Sequence, residues 1–197
     1  MKYEPRNFDQ LLGTEGFSNN LLGNHFTLYK GYVTNTNKLA EILDSLLKEG
    51  KIATPEYAEL SRRFGWEFNG MRLHEFYFEN MVKGGSKLEQ SAPLSALIAQ
   101  EFGSFENWEK DFKGTGTIRG IGWTMMYMDP VGRHLFNVWI NEHDVGHLSG
   151  CVPLLIMDVF EHAFLTDYGL KRVDYIESFF KAINWKVVGD RYKAAAK

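Results

Sequence analysis

Gly122-Trp123-Thr124-Met125-Met126-Tyr127-Met128, the turn residues Asp129-Pro130-Val131-Gly132 and the returning run His134-Leu135-Phe136-Asn137-Val138-Trp139-Ile140 decide the fold class of this chain. The first run is short, dense in large apolar side chains and closed by proline and glycine, as in a buried strand. The second alternates with a period of two, so the pair predicts a β-hairpin. Val152 to Asp158 is a third apolar strand. Upstream the period is helical, which places helices before a small antiparallel sheet of about three strands flanked by further helices: an α+β fold.

Working towards the N-terminus, Leu21, Leu22, His25, Leu28, Tyr29 and Tyr32 fall mostly at spacings of three and four and predict a helix over 19–47, ended by Glu49-Gly50. Thr54-Pro55 opens a second helix through Tyr57, Leu60, Phe64, Phe68 and Met71 to Met81, locally weakened by Gly65 and Gly70. Together they form an antiparallel helical hairpin. Residues 93–103 and 104–112 read as two shorter helices, the second capped by Ser104. Beyond the strands, 161–168 and 175–185 read as helices and 193–197 as a frayed tail. Glycine, serine and proline cluster at 83–93, so we divide the chain into a helical hairpin domain, 1–85, and an α+β domain, 86–197.

Composition narrows the function. With 197 residues, 44% hydrophobic and 24% charged, the chain has the make-up of a folded globular protein. A net charge of -3 without a basic block argues against a nucleic-acid or membrane-surface footprint. No run approaches the roughly 20 apolar residues of a membrane helix, so no membrane partner is expected. The first residues lack the basic head and apolar run of a secretory signal, and Cys151 is the one cysteine; a reducing cytoplasm is the expected location. Cys151, before Val152-Pro153-Leu154-Leu155, reads as inert.

Six histidines remain to carry chemistry: His25, His74, His134, His143, His147 and His162. Imidazole with carboxylate suits iron or manganese, whereas calcium and magnesium prefer oxygen donors and structural zinc thiolates. His25 and His74 lie on the two hairpin helices, where a lone histidine on an apolar face is more often a hydrogen-bonded core residue than a ligand. Asp158 ends an apolar strand, where a carboxylate is costly to bury unless paired or metal-bound; its other reading is a helix cap. His143 and His147, four apart, could form a surface pair or a labile metal site. Met125, Met126 and Met128 fill core.

Asp158-Val159-Phe160-Glu161-His162-Ala163-Phe164 resembles the signature D-x-W-E-H-A-[FY] of iron/manganese superoxide dismutases, with Phe160 where tryptophan is usual. Further text similar to that family follows in order along nearly the whole chain: Tyr32-Val33-Thr34-Asn35-Thr36-Asn37, His74-Glu75-Phe76-Tyr77, Phe102-Gly103-Ser104-Phe105, Gly122-Trp123-Thr124, Val152-Pro153-Leu154-Leu155 and Ile183-Asn184-Trp185. The resemblance implies that one iron or manganese ion, with a lean towards iron or use of either, sits at the seam of the two domains on His25, His74, Asp158 and His162. The first of these is displaced. The family's histidine stands eight residues before the tyrosine, where this chain has Asn24; His25 is one residue later. One helical residue turns a side chain by about 100°, so His25 needs a local adjustment such as loss of a π-bulge, and asparagine is the weaker ligand.

The resemblance also implies that Tyr32 guards the substrate funnel, that His143 hydrogen-bonds the metal's solvent, and that Gly70 makes room for that donor. Superoxide would be converted to oxygen and hydrogen peroxide by M(III)/M(II) cycling, with Arg172 as the funnel cation. Glu161 and His162 imply a homodimer in which each glutamate reaches the partner's histidine. Leu165 and Leu28 replace a tyrosine and histidine of the usual interface. Two other readings stand beside this one: a metal-binding relative without turnover, and a helical interaction protein whose histidines are core residues.

Overall fold

The computed structural model describes residues 2–197. Helix α1 (Asn19–Lys48) starts where the Ser18 hydroxyl accepts the Leu21 amide at 3.0 Å, and helix α2 (Pro55–Glu79) where Thr54 accepts the Tyr57 amide at 3.2 Å. Pro55 begins α2 without cost because the first helical amides have no intrahelical partner. The two helices pack along one another, sewn by Tyr29 donating to Glu75 at 2.9 Å and Asn35 to Glu67 at 3.3 Å.

Helices α3 (Pro93–Phe102) and α4 (Phe105–Gly116) follow, joined by Gly103 at φ +80°, which a side chain would strain. The sheet consists of β1 (Gly122–Asp129), β2 (His134–Asn141) and β3 (Val152–Asp158) in the order β2-β1-β3, antiparallel throughout. Central β1 is buried from Gly122 to Met128, the physical reason for its largely apolar text. Its register sets Trp123 opposite Ile140 on one side and Asp158 on the other. The pairing slips between Met126 and Tyr127, where β3 presents Pro153, a residue without an amide hydrogen. The α+β class and the three-stranded sheet agree with the sequence.

The expected helices beyond β3 are broken differently. Residues 161–168 form a 3-10 turn (Glu161–Ala163) and one turn of helix, α5 (Leu165–Tyr168), interrupted at Phe164. The helix expected over 175–185 is two, α6 (Arg172–Ala182) and α7 (Trp185–Ala195), because Ile183 leaves the helix to bridge Met81 and the Asn184 amide bonds the Asn80 carbonyl. The same bridge ends α2 at Glu79 rather than Met81. Nor is the tail frayed from residue 193: α7 runs on through Ala195, after Arg191 has donated to Glu79 Oε2 at 2.7 Å, the Leu154 carbonyl at 3.0 Å and Asn80 Oδ1. Arg191→Ala leaves a buried asparagine oxygen and a strand carbonyl unpaired, and is expected to lower stability by about 1–3 kcal/mol in urea melts. An unchanged midpoint would show that α7 is held by apolar packing alone.

Candidate metal centre

Asp158, the last residue of β3, has no solvent exposure. Its backbone carbonyl accepts the Tyr175 hydroxyl at 2.6 Å, and Oδ1 accepts the Phe160 amide at 2.9 Å. Oδ2 faces three imidazoles: His25 Nε2 of α1 at 3.2 Å, His162 Nε2 of the 3-10 turn at 3.2 Å and His74 Nε2 of α2 at 3.5 Å. All four donor groups lie within 4.8 Å of one another. Such spacings suit a first-row metal ion bonded at about 2.0–2.2 Å.

The protonation states fit the same purpose. The His74 Nδ1–H donates to the Gly70 carbonyl, so Nε2 is bare, buried and without a hydrogen-bond partner. A bare nitrogen lone pair facing a carboxylate oxygen is repulsive unless a cation lies between them. Burial pushes the pKa of His25 down, and burial with the neighbouring His25 pushes that of His74 well down, so both rings favour the neutral form that binds metal. Burial opposes ionisation of Asp158, but His162, by charge and hydrogen bond, and His25, by its hydrogen bond, outweigh it and hold the carboxyl below its usual range. The donor set is three nitrogens and one oxygen, with Cys151 outside it, which suits iron or manganese.

His25 joins the cluster from a helix that is α-helical along its whole length with no π turn, while Asn24 lies on the exposed face. His25 Nδ1 is buried without a hydrogen-bond partner.

Beside the cluster, the Tyr32 hydroxyl lies 2.8 Å from His143 Nε2, and the Trp123 indole donates to His143 Nδ1 at 3.1 Å. Because an indole can only donate, His143 Nε2 carries the ring hydrogen and donates to Tyr32. Burial lowers the His143 pKa to about 4, keeping that ring neutral. At Gly70 a Cβ would come within 2.5 Å of Tyr32 Cδ1, so the missing side chain admits the Tyr32 ring, which in turn meets His143. Phe160 stacks on His143 and on His162 at ring separations of 4.8 and 5.2 Å. Sequence reading gave no role to Trp66, whose ring packs 4.5 Å from that of His143, or to the Trp123 indole. Gly122-Trp123 was visible as family text, but its contact with His143 spans 20 residues.

Two other candidates lie outside the cluster. Arg172 donates to the Ile118 and Gly120 carbonyls at 2.8 and 2.9 Å and, with the exposed Glu161, lines a surface cavity. His147 forms no metal site with His143; its ring nitrogens face the Tyr127 hydroxyl at 2.7 Å and the His143 carbonyl at 2.8 Å. Gly70→Ala is expected to displace the Tyr32 ring, lengthen its bond to His143 and lower stability by about 1–3 kcal/mol. A crystal structure of the variant with Tyr32 unmoved would contradict this.

Residues 90–191 match the family model described as iron/manganese superoxide dismutases, C-terminal domain. The chain is 34% identical to an iron superoxide dismutase of Aquifex aeolicus (strain VF5), over 100% of this chain and 93% of that protein. It is also 32% identical to a manganese superoxide dismutase, number 2, of Haloferax volcanii (90% of this chain, 87% of that protein), and 34% identical to an iron superoxide dismutase of Saccharolobus solfataricus (80% and 76%). With three imidazoles and a carboxylate gathered at one point and the likeness to the Aquifex aeolicus protein extending over the whole chain, the chain belongs to the iron/manganese superoxide dismutase family of oxidoreductases.

Proposed function

We propose that this chain converts superoxide to oxygen and hydrogen peroxide with one iron or manganese ion held by His25, His74, Asp158 and His162. The convergence of three imidazole Nε2 atoms on Asp158 Oδ2 is the observation that carries the reading. When bound, the metal supplies a one-electron couple, taking an electron from one superoxide and giving one to the next.

The chain's own residues manage position and protons. Trp123 orients the His143 ring, and His143 Nε2–H donates to the Tyr32 oxygen. The Tyr32 hydroxyl hydrogen is thereby left to be offered to substrate. Burial first, then the charge of Asp158, raises the Tyr32 pKa, so the phenol keeps that proton until a stronger base arrives. Phe160, Trp66 and Trp123 form an apolar wall around the relay and limit water beside it. Capture of a small anion by a chain of net charge -3 calls for local cations, the role given to Arg172.

The division into 1–85 and 86–197 places His25 and His74 in one domain and Asp158 and His162 in the other, a seam site in this reading. A homodimer and a cytoplasmic location complete the proposal. Among the four ligand groups, His162 alone reaches the surface, its side chain 29% exposed, next to exposed Glu161. Around that cavity Ile121, Leu165, Leu170 and Val173 expose apolar surface, with Leu170 at 93%, which favours burial by a second copy through Glu161 and His162. Among the described residues, no helix is long and apolar enough to cross a membrane.

After reconstitution, elemental analysis should find close to one iron or manganese per chain with dismutase activity, and His74→Ala or His25→Ala should abolish both. Metal without turnover would identify a binding relative instead; no metal under any reconstitution would refute the site. Leu165→Asp together with Leu170→Asp should convert a dimer to a monomer in sedimentation, and a native chain that sediments as a monomer would remove the interface.

A further inference from the structure

The loop that carries His143 has little burial to hold it. Asp144, Val145 and Gly146 are exposed, and Glu142 sits at φ +52°, a conformation costly to a residue with a side chain. His143 must nevertheless meet Trp123 and Tyr32 at the same time, 3.1 and 2.8 Å from opposite nitrogens of one ring. A small shift of its backbone would break at least one of those bonds.

His147 supplies a hold on that backbone. The His143 carbonyl can only accept, so His147 Nε2, 2.8 Å away, carries the ring hydrogen and donates it. With Nδ1 bare, the Tyr127 hydroxyl donates to it at 2.7 Å; the Met125 sulfur, 3.6 Å from that hydroxyl, is a weaker acceptor. Tyr127 is 3% exposed on the central strand β1, paired on both sides, and burial raises its pKa so that it keeps the proton it donates. A continuous path thus runs from the most enclosed strand, through Tyr127 and His147, to the His143 carbonyl. The Trp66 indole braces the other side of the loop by donating to Glu142 Oε2 at 2.9 Å.

We propose that His147, anchored by Tyr127, is a positioning residue for the dismutation: by fixing the His143 carbonyl it keeps the His143 ring in line with Tyr32 and Trp123. The inference deepens the proposed function and rests on it for its catalytic consequence. It also accounts for both ring nitrogens of a histidine that touches neither Asp158 nor any of the three imidazoles around it.

The test compares the parent with His147→Ala, His147→Gln and Tyr127→Phe. In the iron- or manganese-loaded enzymes, His147→Ala should lose roughly ten- to a hundredfold in kcat/KM at unchanged metal content, the scale that misplacement of a catalytic group produces. His147→Gln, whose amide offers one donor and one acceptor, should recover most of the loss, and Tyr127→Phe should lie between them. In chains loaded with redox-inert gallium(III), the Trp123 indole N–H resonance should shift in His147→Ala and return in His147→Gln. The Trp108 indole, bonded to Asn137, should stay in place as a control. Should His147→Ala fail to fold, His147→Gln and Tyr127→Phe still carry the comparison. Parent-like rates with an unmoved Trp123 resonance, or a glutamine variant as impaired as the alanine one, would overturn the proposal. If the parent itself has no activity, the proposed function fails, and the Trp123 resonance still decides whether His147 places His143.

Discussion

A carboxylate without solvent exposure, Asp158 at the end of β3, is the constraint from which the rest of the structure is best understood. Left unpaired, a buried charge of this kind would cost several kcal/mol. Its Oδ1 has a backbone amide; its Oδ2 has three imidazole nitrogens drawn from α1, α2 and the 3-10 turn. Both long helices and the sheet must therefore meet at one point. The core that brings them there is largely aromatic: Tyr77, Phe78 and Trp123 all pack against the histidines of the cluster.

Those aromatic walls leave the cluster able to hold a cation and poorly able to do without one. Burial drives His25 and His74 towards neutrality, which removes protons that would compete with a metal, while His74 Nε2 remains bare beside an anionic oxygen. A bound metal would relieve that conflict and would couple folding to loading.

Four such donors do not by themselves choose between iron and manganese, since relatives of both names resemble this chain to a similar degree. The groups around the donors bear on that choice because they tune the metal's potential and the proton affinity of what it binds. Here those groups are an imidazole, His143, a tyrosine seated against a glycine, and a phenylalanine, Phe160, between His143 and His162. The loop that carries His143 is in turn held by the Asn141–Val145 backbone pair, by His147 and by Trp66.

The α+β class and the order of elements were legible in the sequence because the hydrophobic period changes from helical to strand-like at Gly122 and reverts after Asp158. The family was legible because its motif places an aspartate and a histidine four residues apart, a local pattern. The helix end at Ile183 was not legible: it follows from pairing with the distant Met81, which local periodicity does not register. One-dimensional text preferred His25 to Asn24 on ligand strength alone, and could not say how the helix presents it, which neighbour fills the space at Gly70, or that His147 grips a carbonyl instead of a metal. What the sequence by itself determined was the order of helices and strands and which side chains are candidates for metal chemistry. Which nitrogen faces which oxygen was decided by the tertiary structure alone, because hydrogen bonds and close contacts act over a few ångströms between residues as far apart as 133 positions along the chain.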